Sequence, residues 1–186
     1  MPKMTSMNTR FLLTGAVAGG LIIFMWGLVS HIAVPWPGEP LKDFSDPQPM
    51  LEALKAHTSG NGVYLDLHGV FAAVNLRPDM SDQSDLFGPR LVIQLLIEIA
   101  AALLLSLLVL GCRITSPAGG AGLGVVAALA AGVELLLPSW NWFNFSTAYA
   151  VSEMADIVIG WTLAGLALGW LAGKMKLVAT RPPSAA

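Results

Sequence analysis

Four long apolar stretches stand out in the chain, and each is close to the length of a membrane-crossing helix. They lie at Phe11–Val34, Leu91–Gly111, Gly120–Leu137 and Ala148–Leu171. A helix rises ~1.5 Å per residue, so about 20 apolar residues cross a hydrocarbon core of ~30 Å. The pattern therefore predicts an all-α membrane protein with four transmembrane helices.

The long polar stretch between the first two apolar segments predicts a small extracytoplasmic cap. Ser45-Asp46-Pro47 has the composition of a helix start, and Ser59-Gly60 that of a helix end. Val63–Leu67 and Val70–Leu76 then predict two short strands around a tight turn at His68-Gly69. The cap is thus expected to be a helix followed by a hairpin.

The short connections after the second apolar segment favour an antiparallel four-helix bundle. The predicted organisation is a tail and first transmembrane helix at 1–34, the cap loop at 35–89 with a loose return at 77–87, the second helix at 90–112, a cytoplasmic turn at 113–119, the third helix at 120–137, an aromatic outer loop at 138–147, the fourth helix at 148–173 and a disordered tail at 174–186.

Composition agrees with a membrane location. The chain has 186 residues, of which 55% are hydrophobic and 12% charged, whereas a soluble domain carries roughly 25% charged residues. Basic residues gather in the two tails and in the turn after the second helix, so both termini are expected to be cytoplasmic. No basic block is dense enough to indicate nucleic-acid binding. The single cysteine, Cys112, excludes an internal disulfide and a CxxC redox pair.

Four acidic residues occur inside the apolar stretches, at Glu98, Glu134, Glu153 and Asp156. A carboxylate at the centre of a membrane costs roughly 2.5–3.5 kcal/mol on insertion scales. Such residues usually face a bundle interior, a partner or a water-filled cavity. Together with His31 they fall within about 15 Å of the predicted outer surface, at ~1.5 Å per residue.

Helical spacing groups these acids with other polar residues. Arg90 and Gln94 precede Glu98 in steps of four, and Tyr149 leads into Glu153 and Asp156. We therefore expect an outward-facing polar pocket, roofed by the cap loop and the Trp-rich turn that contains Trp142. The candidate pocket residues are His31, Arg90, Gln94, Glu98, Glu134, Trp142, Tyr149, Glu153 and Asp156.

Three roles for the acids stay open. No cofactor is predicted, although a divalent metal is an alternative; Glu153-x-x-Asp156 lacks the histidine of the Glu-x-x-His motif of di-iron bundles. Proton-linked transport also suits buried acids. The third role is structural, with the acids paired to Arg90, His31, Trp N–H groups, Ser146 and Ser152.

Small residues at four-residue spacing predict close helix packing. The steps are Gly15/Gly19 in the first helix, Ala127/Ala131 and Ala128/Gly132 in the third, and Gly165/Gly169/Gly173 in the fourth. Packing within one chain is favoured over a dimer interface.

Several motifs resemble an uncharacterised family of bacterial four-helix integral membrane proteins. The residues that carry the resemblance are Trp26-x4-His31-x3-Pro35-Trp36, Gly62-Val63-Tyr64, Asn141-Trp142-x3-Ser146-x2-Tyr149, Ala155-Asp156-x3-Gly160-Trp161 and Gly165. The resemblance implies a bacterial inner-membrane setting and brings no activity with it.

The favoured function is non-enzymatic, namely an accessory subunit that binds a partner or an amphipathic ligand at the polar pocket. The expected partners are membrane lipid and either another membrane subunit or further copies of the chain. The alternative is a proton- or metal-linked transporter or membrane enzyme that uses the buried carboxylates.

Overall fold

The computed structural model of the chain describes residues 6–34, 41–42, 44–66, 69–76 and 84–177, with the side chains of 84–87 excepted. The elements in chain order are α1 (Ser6–Ala33), α2 (Pro47–His57), β1 (Gly62–Asp66), β2 (Val70–Val74), α3 (Ser84–Gly111), α4 (Pro117–Phe143) and α5 (Thr147–Lys174). Within these residues the fold is all-helical apart from one two-stranded sheet.

Four helices are long and apolar enough to cross a membrane, which confirms the predicted number of candidate spans. They are Ser6–Ala33, Gly88–Gly111, Pro117–Phe143 and Thr147–Lys174. The chain divides into two compact units, one within Leu41–Pro89 and one that contains the four long helices.

The smaller unit has the predicted helix and hairpin. Asp46 caps α2 by accepting a hydrogen bond from the backbone N–H of Gln48 at 3.3 Å, with Pro47 in the first turn. The strands pair antiparallel with Tyr64 opposite Ala72. The side-chain oxygen of Asn61 accepts from the Leu76 N–H at 2.6 Å and so ties the open end of the hairpin. Residues 67 and 68 of the predicted turn lie outside the described residues.

All four long helices begin earlier than the predicted apolar stretches, α1 at Ser6 and α5 at Thr147. Helix α3 already includes Ser84–Gly88, where a loose return was expected, and it contains Pro89 near its start. Pro89 is the sixth residue of the helix, so its missing N–H leaves the Asp85 carbonyl, four residues earlier, without its usual helical donor. Helix α4 begins at Pro117, capped by Ser116 Oγ, which accepts from the Gly119 N–H at 3.2 Å.

Helix α4 also ends later than predicted, because it continues through Pro138 to Phe143. Most of the predicted aromatic loop at 138–147 is therefore helical. Asn144 ends the helix in the left-handed conformation, with φ 54°, and the Phe145 N–H bonds to the Ser139 carbonyl at 3.3 Å. Proline lacks an N–H, so the Glu134 carbonyl, four residues earlier, loses its usual helical donor.

Glycines bring the backbones of α4 and α5 into direct contact. A Cβ at Gly120 would collide with the Gly165 carbonyl, and one at Gly165 would collide with the Gly120 carbonyl. A Cβ at Gly169 would likewise collide with the Ser116 carbonyl. The predicted small-residue steps at Gly165 and Gly169 therefore pack within the chain.

Helix α1 uses its own glycines to approach α3. A Cβ at Gly15 would lie 2.7 Å from Ser106 Oγ, and one at Gly20 would lie 2.6 Å from the Ile99 Cα atom. The apolar core lies beside these contacts, where Phe11, Leu105 and Leu168 are fully buried. Helices α1, α3 and α5 thus share one core.

Replacing Gly165 with alanine should destabilise the protein by about 1–3 kcal/mol, the usual cost of overpacking. The new methyl group would meet a backbone oxygen, which cannot rotate away. Thermal unfolding in detergent measures the effect. Gly122→Ala is the matched control, because a Cβ at Gly122 has no heavy atom within 4 Å; its melting temperature should equal or exceed that of the wild type. Equal melting of Gly165→Ala and wild type would show that the backbone contact contributes little.

Candidate functional site

Asp156 is held in place through its backbone. The indole Nε1 of Trp26, on α1, donates a hydrogen bond to the Asp156 carbonyl at 3.1 Å. One turn further along α5, Gly160 leaves room for the indole, since a Cβ there would lie 3.0 Å from Trp26 Cδ1. The contact therefore joins α1 to α5 at the level of Asp156.

The side chain of Asp156 is not satisfied in the same way. Its Oδ1 atom is buried and has no hydrogen-bond partner among the described residues. A buried polar atom without a partner costs about 1–3 kcal/mol. The fold therefore fixes the backbone of this residue but leaves a carboxylate oxygen unpaired.

Two further carboxylates lie near Asp156. Glu98 on α3 and Glu153 on α5 are both partly buried, and each interacts electrostatically with Asp156. Gln94 donates from Nε2 to Glu98 Oε1 at 2.6 Å, which confirms that these two residues share a helix face. Within the described ranges, the other electrostatic contacts of the two glutamates involve no lysine or arginine.

His31 is the fourth member of the group, since it interacts electrostatically with Glu153. Its Nδ1 atom lies 3.0 Å from Ser30 Oγ and 3.0 Å from the Gly27 carbonyl. Ser30 is fully buried and also donates to the Gly27 carbonyl at 3.1 Å. We refer to His31, Glu98, Glu153 and Asp156 as the polar cluster.

Tyr149 lies beside the polar cluster, one turn before Glu153, with which it interacts electrostatically. Its ring packs edge-on against Phe145 at a centroid distance of 5.4 Å. The hydroxyl groups of Ser146 and Ser152 bond to the Tyr149 backbone, at 3.1 and 3.0 Å. These serines cap and brace the start of α5, and they do not pair with the acids as the structural interpretation supposed.

Three further candidates from the sequence have exposed side chains. Glu134 is exposed on α4, and Trp142 is 76% exposed. Arg90 is also exposed, two turns before Glu98 on α3. The four residues of the polar cluster come from α1, α3 and α5, and the part of every long helix in one pocket stays a prediction.

The geometry of the acids bears on the metal alternative. Among the described residues, no three His, Cys, Asp or Glu side chains lie close enough to hold one ion. Two surface grooves also lie elsewhere, one lined by Ser6, Arg10 and Met175 and the other by Trp140, Met154 and Val158. The divalent-metal alternative stays a prediction.

Trp26 and Ser30 are positioning residues that the helix-face argument omitted. A buried indole N–H needs a hydrogen-bond acceptor, so the sequence could have predicted that Trp26 contacts a polar atom of another helix. The acceptor is a backbone carbonyl, so residue types on α5 gave no indication of it.

Asp156→Asn should raise the stability of the protein by about 1 kcal/mol, the scale of one interaction between like charges, because it removes a carboxylate near those of Glu98 and Glu153 while keeping the shape of the side chain. Thermal unfolding in detergent is the measurement. Glu134→Gln is the control, since it removes one exposed acid from α4 and should change stability little. A loss of stability in Asp156→Asn would show that the carboxylate has a structural role.

Comparison of the chain with protein-family models, curated proteins and solved structures found no match. The resemblance to the bacterial four-helix family therefore stays a prediction.

Proposed function

We propose that the chain is a non-enzymatic subunit of the bacterial inner membrane that binds a partner through a positive group at the polar cluster. Its four long helices cross the membrane as an antiparallel bundle with both termini in the cytoplasm. The support for this orientation is the separation of charge, with basic residues Arg10, Arg113 and Lys174 at one end of the helices and the acids towards the other.

The observation that carries the proposal is the buried Asp156 oxygen, which has no hydrogen-bond partner in the part of the chain that the structure describes. Glu98 and Glu153 are carboxylates nearby, and among the described residues His31 is the one cation-forming side chain in their electrostatic contacts. In hydrocarbon this arrangement needs a compensating cation or proton from outside the described residues. A lysine or arginine on a partner helix would supply it.

The exposure of the cluster favours a lateral partner. His31 and Gln94 are exposed, while Glu98 and Glu153 are half-buried. The carboxylates are therefore reachable from the side of α3 and α5. A helix that packs there would cover both the charges and the neighbouring apolar side chains.

Site-specific crosslinking tests this proposal. A photoreactive amino acid at Leu91, which is exposed and lies two turns from Glu98 on the same helix face, should crosslink to a membrane protein with a basic residue in a spanning helix. The same probe at Val126, which is 65% exposed on α4, should not yield that product. Asp156→Asn should reduce the crosslink several-fold, and exchanging the two charges between the partners should restore it.

A crosslink that survives Asp156→Asn would contradict the role assigned to the cluster. A chain that purifies as a monomer in mild detergent and yields no crosslink would contradict the partner itself. A crosslink to a second copy of the chain would identify that copy as the partner if replacing the contacted basic residue also removes the crosslink.

Proton-linked transport is the second candidate, because the same unpaired oxygen could bind a proton. Purified protein in liposomes should then conduct protons under an applied pH gradient, and Asp156→Asn should lower the rate at least tenfold. Glu134→Gln should leave the rate unchanged. Absence of flux in the wild type would remove this candidate without affecting the partner-binding proposal.

A further inference from the structure

A groove of about 590 Å³ lies between the start of α1 and the end of α5, away from the polar cluster. Its walls are formed by Ser6, Met7, Arg10 and Thr14 on one side and by Leu171 and Met175 on the other. We propose that this groove binds an anionic phospholipid, with the headgroup at Arg10 and an acyl chain along the apolar wall.

The two kinds of side chain in the groove match the two parts of a lipid. Met7, Leu171 and Met175 supply apolar surface, and Leu171 lies in a helix that is apolar enough to cross the membrane. Arg10 is exposed at the rim. The Thr14 hydroxyl donates to the Arg10 carbonyl at 2.7 Å, so its proton is used within α1.

Charge around the groove has one sign. Neither α1 nor residues 157–177, the part of the chain that runs from Asp156 to the groove, contain an aspartate or glutamate that could neutralise Arg10. Lys174 and Lys176 flank Met175 in the sequence. Basic pockets between membrane helices are typical sites for anionic lipid headgroups.

Two basic residues near this end of the helices adopt the left-handed backbone conformation. Arg113 and Lys176 end α3 and α5 in the left-handed region, with φ of 58° and 49°. Glycine is the usual residue at such positions, because a side chain there is strained. The two basic residues are therefore present despite the conformation of their backbones.

These helix ends lie together. A Cβ at Gly173 would lie 2.5 Å from the Thr115 carbonyl, so the turn after α3 packs against the end of α5. The Lys174 ammonium lies 5.7 Å above the ring of Trp170, which is 53% exposed. A tryptophan–lysine pair of this kind is suited to the headgroup boundary of a bilayer.

Lipid binding to the purified full chain tests the proposal. Native mass spectrometry compares phosphatidylglycerol with phosphatidylcholine of the same acyl chains, each added to delipidated protein in a neutral detergent. The wild type should bind phosphatidylglycerol about tenfold more tightly, as expected if more than one basic residue contributes. Arg10→Gln should weaken that preference about fivefold, the effect of one basic residue, and Arg10→Lys should retain it.

Arg90→Gln is the matched control, because it removes one exposed arginine from the opposite end of the helices and should keep the full preference. Equal binding of the two lipids by the wild type, or equal losses in Arg10→Gln and Arg90→Gln, would overturn the proposal. The deacylated headgroup glycerophosphoglycerol distinguishes a lipid site from a phosphate site. If it protects the protein from thermal unfolding as well as the intact lipid does, the apolar wall has no part in binding and the groove is not a lipid site.

The experiment is independent of the polar cluster. It depends on the membrane location that we propose for the four long helices, but not on the partner proposed for Asp156. If no crosslink forms at Leu91 but the preference for phosphatidylglycerol is present, only the partner proposal is rejected. If the crosslink forms but the lipid preference is missing, only the lipid site is rejected.

Discussion

Direct contact between helix backbones is the constraint on which the rest of the four-helix unit depends. Within hydrocarbon, apolar side chains gain little by leaving lipid for one another, so helices associate through close packing and polar contacts. Gly120 and Gly165 allow α4 and α5 to touch, and Gly15 and Gly20 allow α1 to approach α3. Because α5 also contacts α1 through Leu168 and Gly160, it is held from two sides.

The position of Asp156 follows from this packing and owes little to its own carboxylate. The residue sits on α5 where Trp26 bonds to its backbone and Gly160 receives the indole ring. Its carboxylate can therefore be removed without removing the contacts that orient it. This arrangement supports the binding role that we propose for Asp156, since functional side chains are positioned best on rigid elements. This separation is why neutral substitution is expected to affect stability and binding in opposite directions.

Much of the fold could be predicted from local sequence. The spans follow from apolar length, and the cap helix follows from Asp46-Pro47, whose capping bond is present in the structure. The end of α4 could not be found in this way, because Pro138 resembles a helix stop. Its ring costs one backbone hydrogen bond, and the helix continues to Phe143, past that loss.

The candidate site was only partly predictable for a related reason. Spacing by three and four residues places Tyr149, Glu153 and Asp156 on one face of α5. The same spacing places Gln94 and Glu98 on one face of α3, and a hydrogen bond between these two side chains confirms it. Depth alone was used to add Glu134, whose side chain is exposed. Depth gives the level of a residue along a helix but not its direction around the axis, and that direction is set by which neighbour each helix packs against.

The two ends of the long helices pose different electrostatic problems. In the proposed orientation, the basic end with Arg10, Arg113 and Lys174 lies at the cytoplasmic surface, where the anionic headgroups of a bacterial membrane attract basic residues. Lipid provides no such general partner for the polar cluster around Asp156, because hydrocarbon offers neither cations nor hydrogen-bond donors. A charge that lipid headgroups can neutralise does not require a specific protein partner. A charge that lipid cannot satisfy requires a particular group at a particular depth in the membrane. For this reason we expect a dedicated partner at the polar cluster and not at the basic end.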